Sequence, residues 1–207
     1  QQLAGFGAKT EEKILKELAN FGSRSERLPV WQLEPVVEEI NLLLAGMAEV
    51  EKYSVAGSFR RVKETSKDVD FIVATNEPVV VREKLLAGLV IQETVAAGDT
   101  KVSVILDREE PVSVDFRLVN REEYATALHH FTGSKDHNVR MRQLAKAQGK
   151  KISEYGVEQP DGSVATFDSE EAFFAHFDLP FIPPTVRESG KELDRLDELA
   201  GLVQLDD

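Results

Sequence analysis

Residues 57–71 read GSFRRVKETSKDVDF. Gly57 and Ser58 form a small pair that lets backbone N–H groups approach an anion. Arg60 and Arg61 add guanidinium forks suited to phosphate oxygens. Asp68-Val69-Asp70 then opens an apolar run through Ala74 that reads as a buried strand. Side chains two apart on a strand share a face, so Asp68 and Asp70 point the same way. Two carboxylates held that close repel, and a divalent cation relieves the repulsion. A lone Asp-x-Asp is common on surfaces and in turns. With Gly-Ser about ten residues ahead of it, the pair has the layout a phosphoryl-transfer site needs.

Downstream, residues 79–87 read as a helix. Three extended runs follow at 89–95, 100–106 and 111–119, with Gly98-Asp99 turning between the first two and a polar turn at 107–110. On the third run Val112, Val114, Phe116 and Leu118 alternate with Ser113, Asp115 and Arg117, so Asp115 lies on the polar face. If this strand runs antiparallel to the Asp-x-Asp strand, Asp115 joins Asp68 and Asp70. The bland alternative is a solvated carboxylate on a hairpin.

Residues 121–128 read as a helix leading into His129-His130-Phe131-Thr132-Gly133-Ser134, and a second helix carries Asn138, Arg140 and Arg142. Gly133 can break the helix, leaving a turn ahead of the helix that carries Asn138. Residues 150–157 continue as a strand, Pro160-Asp161-Gly162 turns a small hairpin, and Ser169 caps a short helix. Residues 190–207 read as an acidic linker.

Upstream, residues 53–56 form a short strand. Residues 34–49 carry Val36, Val37, Ile40, Leu43, Leu44 and Met47 at helical spacing, a core-packing helix, with Trp31 as a packing anchor. At the start, Gly5-Phe6-Gly7 is a tight turn and Lys9-Thr10 begins a helix. This is either a plain capped helix or the second half of a helix-hairpin-helix.

The 207 residues suffice for one good core or two small ones. No apolar run reaches membrane-span length, and the absence of cysteine excludes disulfides and thiolate metal sites. The net charge of −12 is unevenly spread. Residues 152–207 hold three Lys and Arg against fourteen Asp and Glu, whereas 129–151 holds six Lys and Arg against one Asp. A basic face is therefore compatible with the acidic total.

Gly57-Ser58 followed by Asp68-x-Asp70 is the signature of the nucleotidyltransferase superfamily. Phe59-Arg60-Arg61 and Glu64-Thr65 between them resemble the family X DNA polymerases, the gap-filling group. His130-Phe131-Thr132-Gly133-Ser134 followed by Asn138 resembles the second signature of that family, in wording closer to its bacterial branch. The resemblance covers roughly residues 1–187. It implies an α/β (α+β) fold with a nucleotidyltransferase palm, built on a mixed sheet with flanking helices (51–120). A small α/β thumb (121–187), partial helix-hairpin-helix fingers (1–50) and an acidic tail (188–207) complete it.

The implied activity is transfer of a nucleotide from a dNTP to a primer 3′-hydroxyl with release of pyrophosphate. By the same resemblance Asp68, Asp70 and Asp115 hold two Mg²⁺ or Mn²⁺ ions, and Asp115 helps take the proton. Gly57, Ser58 and Arg61 grip the triphosphate, His130, Phe131 and Gly133 form the sugar pocket, and Asn138 contacts the base pair. Gly5, Gly7, Lys9, Thr10, Arg117 and Arg142 serve the DNA side, with a monovalent cation at the hairpin turn. The implied partners are gapped or primed DNA and a dNTP, for a monomer in the bacterial cytoplasm near the nucleoid, away from membranes.

His130 stands where eukaryotic members have Tyr. Lys67 and Lys135 replace a small and an acidic residue. Nothing resembles the family's N-terminal lyase domain, and residues 202–207 look like the approach to a polymerase-and-histidinol-phosphatase domain, so a truncated piece of a longer protein is expected. The alternative is a nucleotide- or DNA-binding module that positions a neighbouring exonuclease. Three acids gathered where phosphates must sit argue against it.

Overall fold

The computed structural model describes residues 27–199. The expectations for Gly5, Gly7, Lys9, Thr10 and the cation at their turn lie outside those residues. Strands β1 (Leu28–Pro29) and β3 (Thr65–Ser66) pair in a short antiparallel ribbon. The dominant element is a five-stranded sheet of β2 (Val50–Val55), β4 (Asp68–Thr75), β5 (Ile91–Ala97), β6 (Lys101–Leu106) and β7 (Val112–Val119), in the order β2-β4-β7-β6-β5. All neighbours pair antiparallel except β4 and β7, which run parallel. The expected antiparallel pairing of the two Asp-bearing strands is thus corrected, and the cause is the count of reversals. Helix α3 (Pro78–Gly88) returns the chain across the sheet, so β5 runs as β4 does. The two tight turns after β5 and β6 then reverse it twice.

Alternation on β4 and β7 divides the sheet into two faces. Val69, Phe71 and Val73, with Val112, Val114, Phe116 and Leu118, are buried in one core, where Phe71 and Phe116 stack with ring centroids 5.7 Å apart. Helix α1 (Val30–Ala45) covers that face with Leu33, Val36, Val37, Ile40 and Leu44, and α3 adds Val81 and Leu85. Helix α1 starts four residues before the expected position, and Pro35, its sixth residue, lies inside the helix, where it lacks the N–H that would donate to the carbonyl of Trp31. Trp31 is not the expected packing anchor. It lies on the outer side of α1 and is 65% exposed, since the 3.6-residue period turns Leu33 inward and Trp31 away.

The opposite face carries the acids. Part of it is closed by α4 (Tyr124–Thr132), whose Ala127 and Leu128 pack on Ile72 and Ala56. Beyond α4, helix α5 (Lys135–Ala147), a three-stranded sheet of β8 (Lys151–Ser153), β9 (Gly156–Glu158) and β10 (Val164–Ala165), and helix α6 (Glu170–Ala175) enclose a second core. Met141, Ala145, Ile152, Val157, Phe173, Phe174, Phe177 and Ile182 fill it. The single strand expected over 150–157 is instead a hairpin, folded at Glu154-Tyr155 so that Ile152 faces Val157. Nor does the chain become a linker at residue 188. Leu193 and Leu196 pack on the second core, and Glu192 is buried against His137. No helix among the described residues is long and apolar enough to cross a membrane.

A buried ion network joins the two halves. Glu170 accepts from Arg60 at 2.6 Å through one oxygen and from Arg187 at 2.6 Å through the other. Arg60 lies on the one-turn helix α2 (Gly57–Arg60) beside the large sheet, while Glu170 and Arg187 belong to the second core. Arg187 is fully buried, with its guanidinium 5.0 Å from the Phe174 ring. Burial pushes the Glu170 carboxyl up, but Arg187 and Arg60 outweigh it and hold it ionised. Removing one member strands buried charge. Glu170→Ala is expected to cost about 3–5 kcal/mol of unfolding free energy in a urea titration, well above the ≤1 kcal/mol or so of a surface ion pair.

Candidate active site

The ladder between β4 and β7 pairs Asp68 with Ser113, Asp70 with Asp115 and Ile72 with Arg117. Asp68, Asp70, Asp115 and Arg117 therefore share the face opposite the large core, gathered by backbone register and not by side-chain attraction. The Asp70 carboxyl is pushed up to about 7, first by burial, then by the charges of Asp68 and Asp115, with Arg117 and Lys101 opposing. An all-oxygen set of mutually repelling acids has the chemistry of a hard divalent-cation site. Among the described residues, however, no group of three or more His, Asp or Glu side chains is arranged to hold a metal ion as it stands. Lys101 Nζ lies 2.9 Å from Asp115 Oδ2 and engages that carboxylate.

The Gly-Ser pair meets this face directly. Gly57 has φ +63°, and a Cβ added there would lie 2.2 Å from Asp70 Oδ2. Only glycine lets the turn and the carboxylate touch. The pair does not sit in an open loop, because Gly57 begins α2, with Arg60 N–H donating to Ala56 O at 3.2 Å. The Ser58 hydroxyl is engaged with that of Ser66, which donates to Asp68 O at 2.7 Å. The expected grip and the expected acids are thus one continuous structure.

The turn between α4 and α5 closes the far side. Gly133 has φ +70°, and its Cα faces Arg61, whose Nη1 would be 3.3 Å from an added Cβ. Arg61 also donates to Thr132 O and, through Nε, to Glu188 Oε1 at 2.8 Å. Phe131 lies under Arg117, with the guanidinium carbon 4.6 Å from the ring centroid, so this turn touches the residue two along from Asp115. Asn138 donates from Nδ2 to His130 O at 2.7 Å, and its Oδ1 has no partner. Burial is the main cause holding His130 below its ordinary pKa. Arg142 lies exposed on α5, near enough to His130 for its charge to help hold that ring below its ordinary pKa.

Beneath the turn, His129 and His137 tie α4 to α5 through their Nε2 atoms, 3.1 Å apart. Burial chiefly lowers both pKa values, so both rings are neutral. His137 Nδ1 lies 2.7 Å from Glu192 Oε1 and donates to it. His137 Nε2 is then the acceptor and His129 Nε2 the donor, which leaves His129 Nδ1 bare, as found. These histidines hold the two helices of the scaffold together.

Sequence reasoning missed Lys101 and Glu188. The alternation of β6 carried a signal for Lys101, since it and Ser103 occupy the polar face beside Asp115. Nothing in the pattern announced Glu188, which arrives by a fold-back of the chain.

The crowding of the acids has a thermodynamic signature. Asp70 binds its proton more tightly folded (about 7) than at its ordinary 3.8. The stability this confers is complete below about pH 3.8 and is lost as pH rises to about 7. Asp70→Asn removes the loss. In chelator-treated buffer the variant is expected to be more stable than the native chain at about pH 8, by up to roughly 4 kcal/mol, with the gain vanishing near about pH 4. Urea titrations at the two pH values check this.

Comparison with known proteins places this geometry in context. Residues 127–188 match the family described as DNA polymerase beta thumb. Over 206 residues, 99% of the chain, the sequence is 52% identical to the DNA polymerase/3′-5′ exonuclease PolX of Bacillus subtilis (strain 168), and it spans 36% of that protein's length. The first match takes in the glycine turn between α4 and α5. The chain belongs to the bacterial branch of the family X DNA polymerases.

Proposed function

We propose that this chain carries the nucleotidyl-transfer centre of a DNA-directed DNA polymerase acting on gapped or primed DNA. The observation that carries the reading is the Asp70–Asp115 register across a parallel strand pair, with Gly57 packed against Asp70. In the reaction the primer O3′ forms a bond to the α-phosphorus of a dNTP. The bond from that phosphorus to the bridging oxygen breaks, and pyrophosphate leaves. Asp68, Asp70 and Asp115 would hold two Mg²⁺ or Mn²⁺ ions. When bound, such ions polarise phosphoryl oxygens, ease ionisation of the primer hydroxyl and neutralise the leaving charge.

The chain's own residues do the positioning. Asp115 is the carboxylate assigned to receive the primer proton. Gly57, Ser58 and Arg61 take the triphosphate, in reach of Asp70 through the Gly57 contact. His130, Phe131 and Gly133 form the wall against sugar and base, and Asn138, whose Oδ1 is buried without a partner, would reach a base edge by turning its amide away from His130 O. Arg117, stacked on Phe131 and two residues from Asp115, links closure of that wall to the acids. Arg142 lies on the exposed side assigned to the template strand. The chain is proposed to act as a monomer, and a DNA substrate implies a bacterial cytoplasmic, nucleoid-associated setting.

The test is extension of a primer across a one-nucleotide gap with Mg²⁺ or Mn²⁺. The native chain is expected to add one templated nucleotide, and Asp115→Ala is expected to slow addition by at least about a hundredfold. Extension at the native rate by the variant would refute the assignment.

A further inference from the structure

We infer that Glu188 is a resident anion at the triphosphate grip, and that incoming polyphosphate must displace its carboxylate from Arg61 and Lys63. The inference rests on the triphosphate role assigned above to Arg61 and adds a competitor to it. Glu188 Oε1 accepts from Arg61 Nε at 2.8 Å, and Oε2 lies 3.2 Å from Lys63 Nζ. One carboxylate therefore bridges two cations that flank the α2 turn, as a phosphate would. Burial works to raise the Glu188 carboxyl, but Arg61 and Lys63 outweigh it and hold the group ionised.

The backbone of Glu188 is pinned, so only its side chain has to leave. Ser134 Oγ donates to Glu188 O at 2.8 Å, and Ser134 N–H donates to Arg187 O at 2.9 Å. On one side Arg187 is buried against Glu170, and on the other Glu192 is locked to His137. The strap from Arg187 to Glu192 stays put while the carboxylate, itself 37% exposed, swings on its own torsions toward solvent. The Glu188 anion thus weakens binding of any anion at Arg61, and weakens most those with enough charge to need both cations.

The experiment is equilibrium titration of the full chain, without primer, with a dNTP and separately with inorganic tripolyphosphate. Native, Glu188→Gln and Arg61→Ala chains are compared. Glu188→Gln keeps the shape and removes the charge. It is expected to tighten both ligands about three- to tenfold while leaving the unfolding midpoint within about 2 °C of native, since the ion pair is partly exposed. Glu188→Asp is expected to stay near native affinity. A purely structural prop would give the opposite sign, so unchanged or weaker binding by Glu188→Gln overturns the inference while the nucleotide site stands. If the native chain binds neither ligand, or Arg61→Ala binds as well as native, the triphosphate assignment falls and the inference falls with it.

Discussion

Backbone hydrogen bonding holds like charges together in this protein. Neighbouring strands lie roughly 4.8 Å apart whatever their side chains prefer, and the β4–β7 ladder sets Asp70 opposite Asp115 with Asp68 two residues away. Left to themselves these carboxylates would separate. They cannot, because the same strands bury Val69, Phe71, Val73, Val114, Phe116 and Leu118 on their other face. A one-residue slip would exchange the two faces and expose that whole set. The apolar face therefore enforces the acidic one, and the cost appears where physics puts it, in the raised pKa of Asp70. Lys101 relieves part of the repulsion from within the chain, and a divalent cation is the stronger relief.

The second core gives this arrangement a wall. The turn through Gly133 sits between two helices whose relative placement is fixed by the His129–His137–Glu192 chain of hydrogen bonds. Its distance from the sheet is fixed by the Arg60–Glu170–Arg187 network. Arg60 and Arg61 are neighbours with different work. Arg60 is committed to a buried acid and acts as a bolt, whereas Arg61 holds partly exposed Glu188 and is the cation available for exchange.

Much of the arrangement was legible because short-range chemistry dictates it. Alternation in 112–119 put Asp115 and Arg117 on the polar face, and the structure has them there. Gly133 read as a helix break, and Ser134 caps the next helix by accepting from His137 N–H. What failed depends on the path of the chain. The direction of β7 relative to β4 follows from counting reversals, not from any local motif. Hydrophobicity alone marks Trp31 as an anchor, although its phase relative to Leu33 points outward. The acidity of 190–207 suggests a linker, yet Glu192 is buried against His137, a match between residues 55 apart. Glu188 was invisible for the same reason.

The most direct test of the central claim is binding of Mn²⁺ itself, followed by the paramagnetic signal of the free ion. The native chain, Asp70→Asn and Asp115→Asn are titrated in the absence of nucleotide and DNA. If the parallel register builds a divalent-cation site, the native chain takes up Mn²⁺ and each substitution weakens uptake by about tenfold or more. Equal uptake by all three chains would contradict the account, because the acids would then be a consequence of the fold and not its purpose.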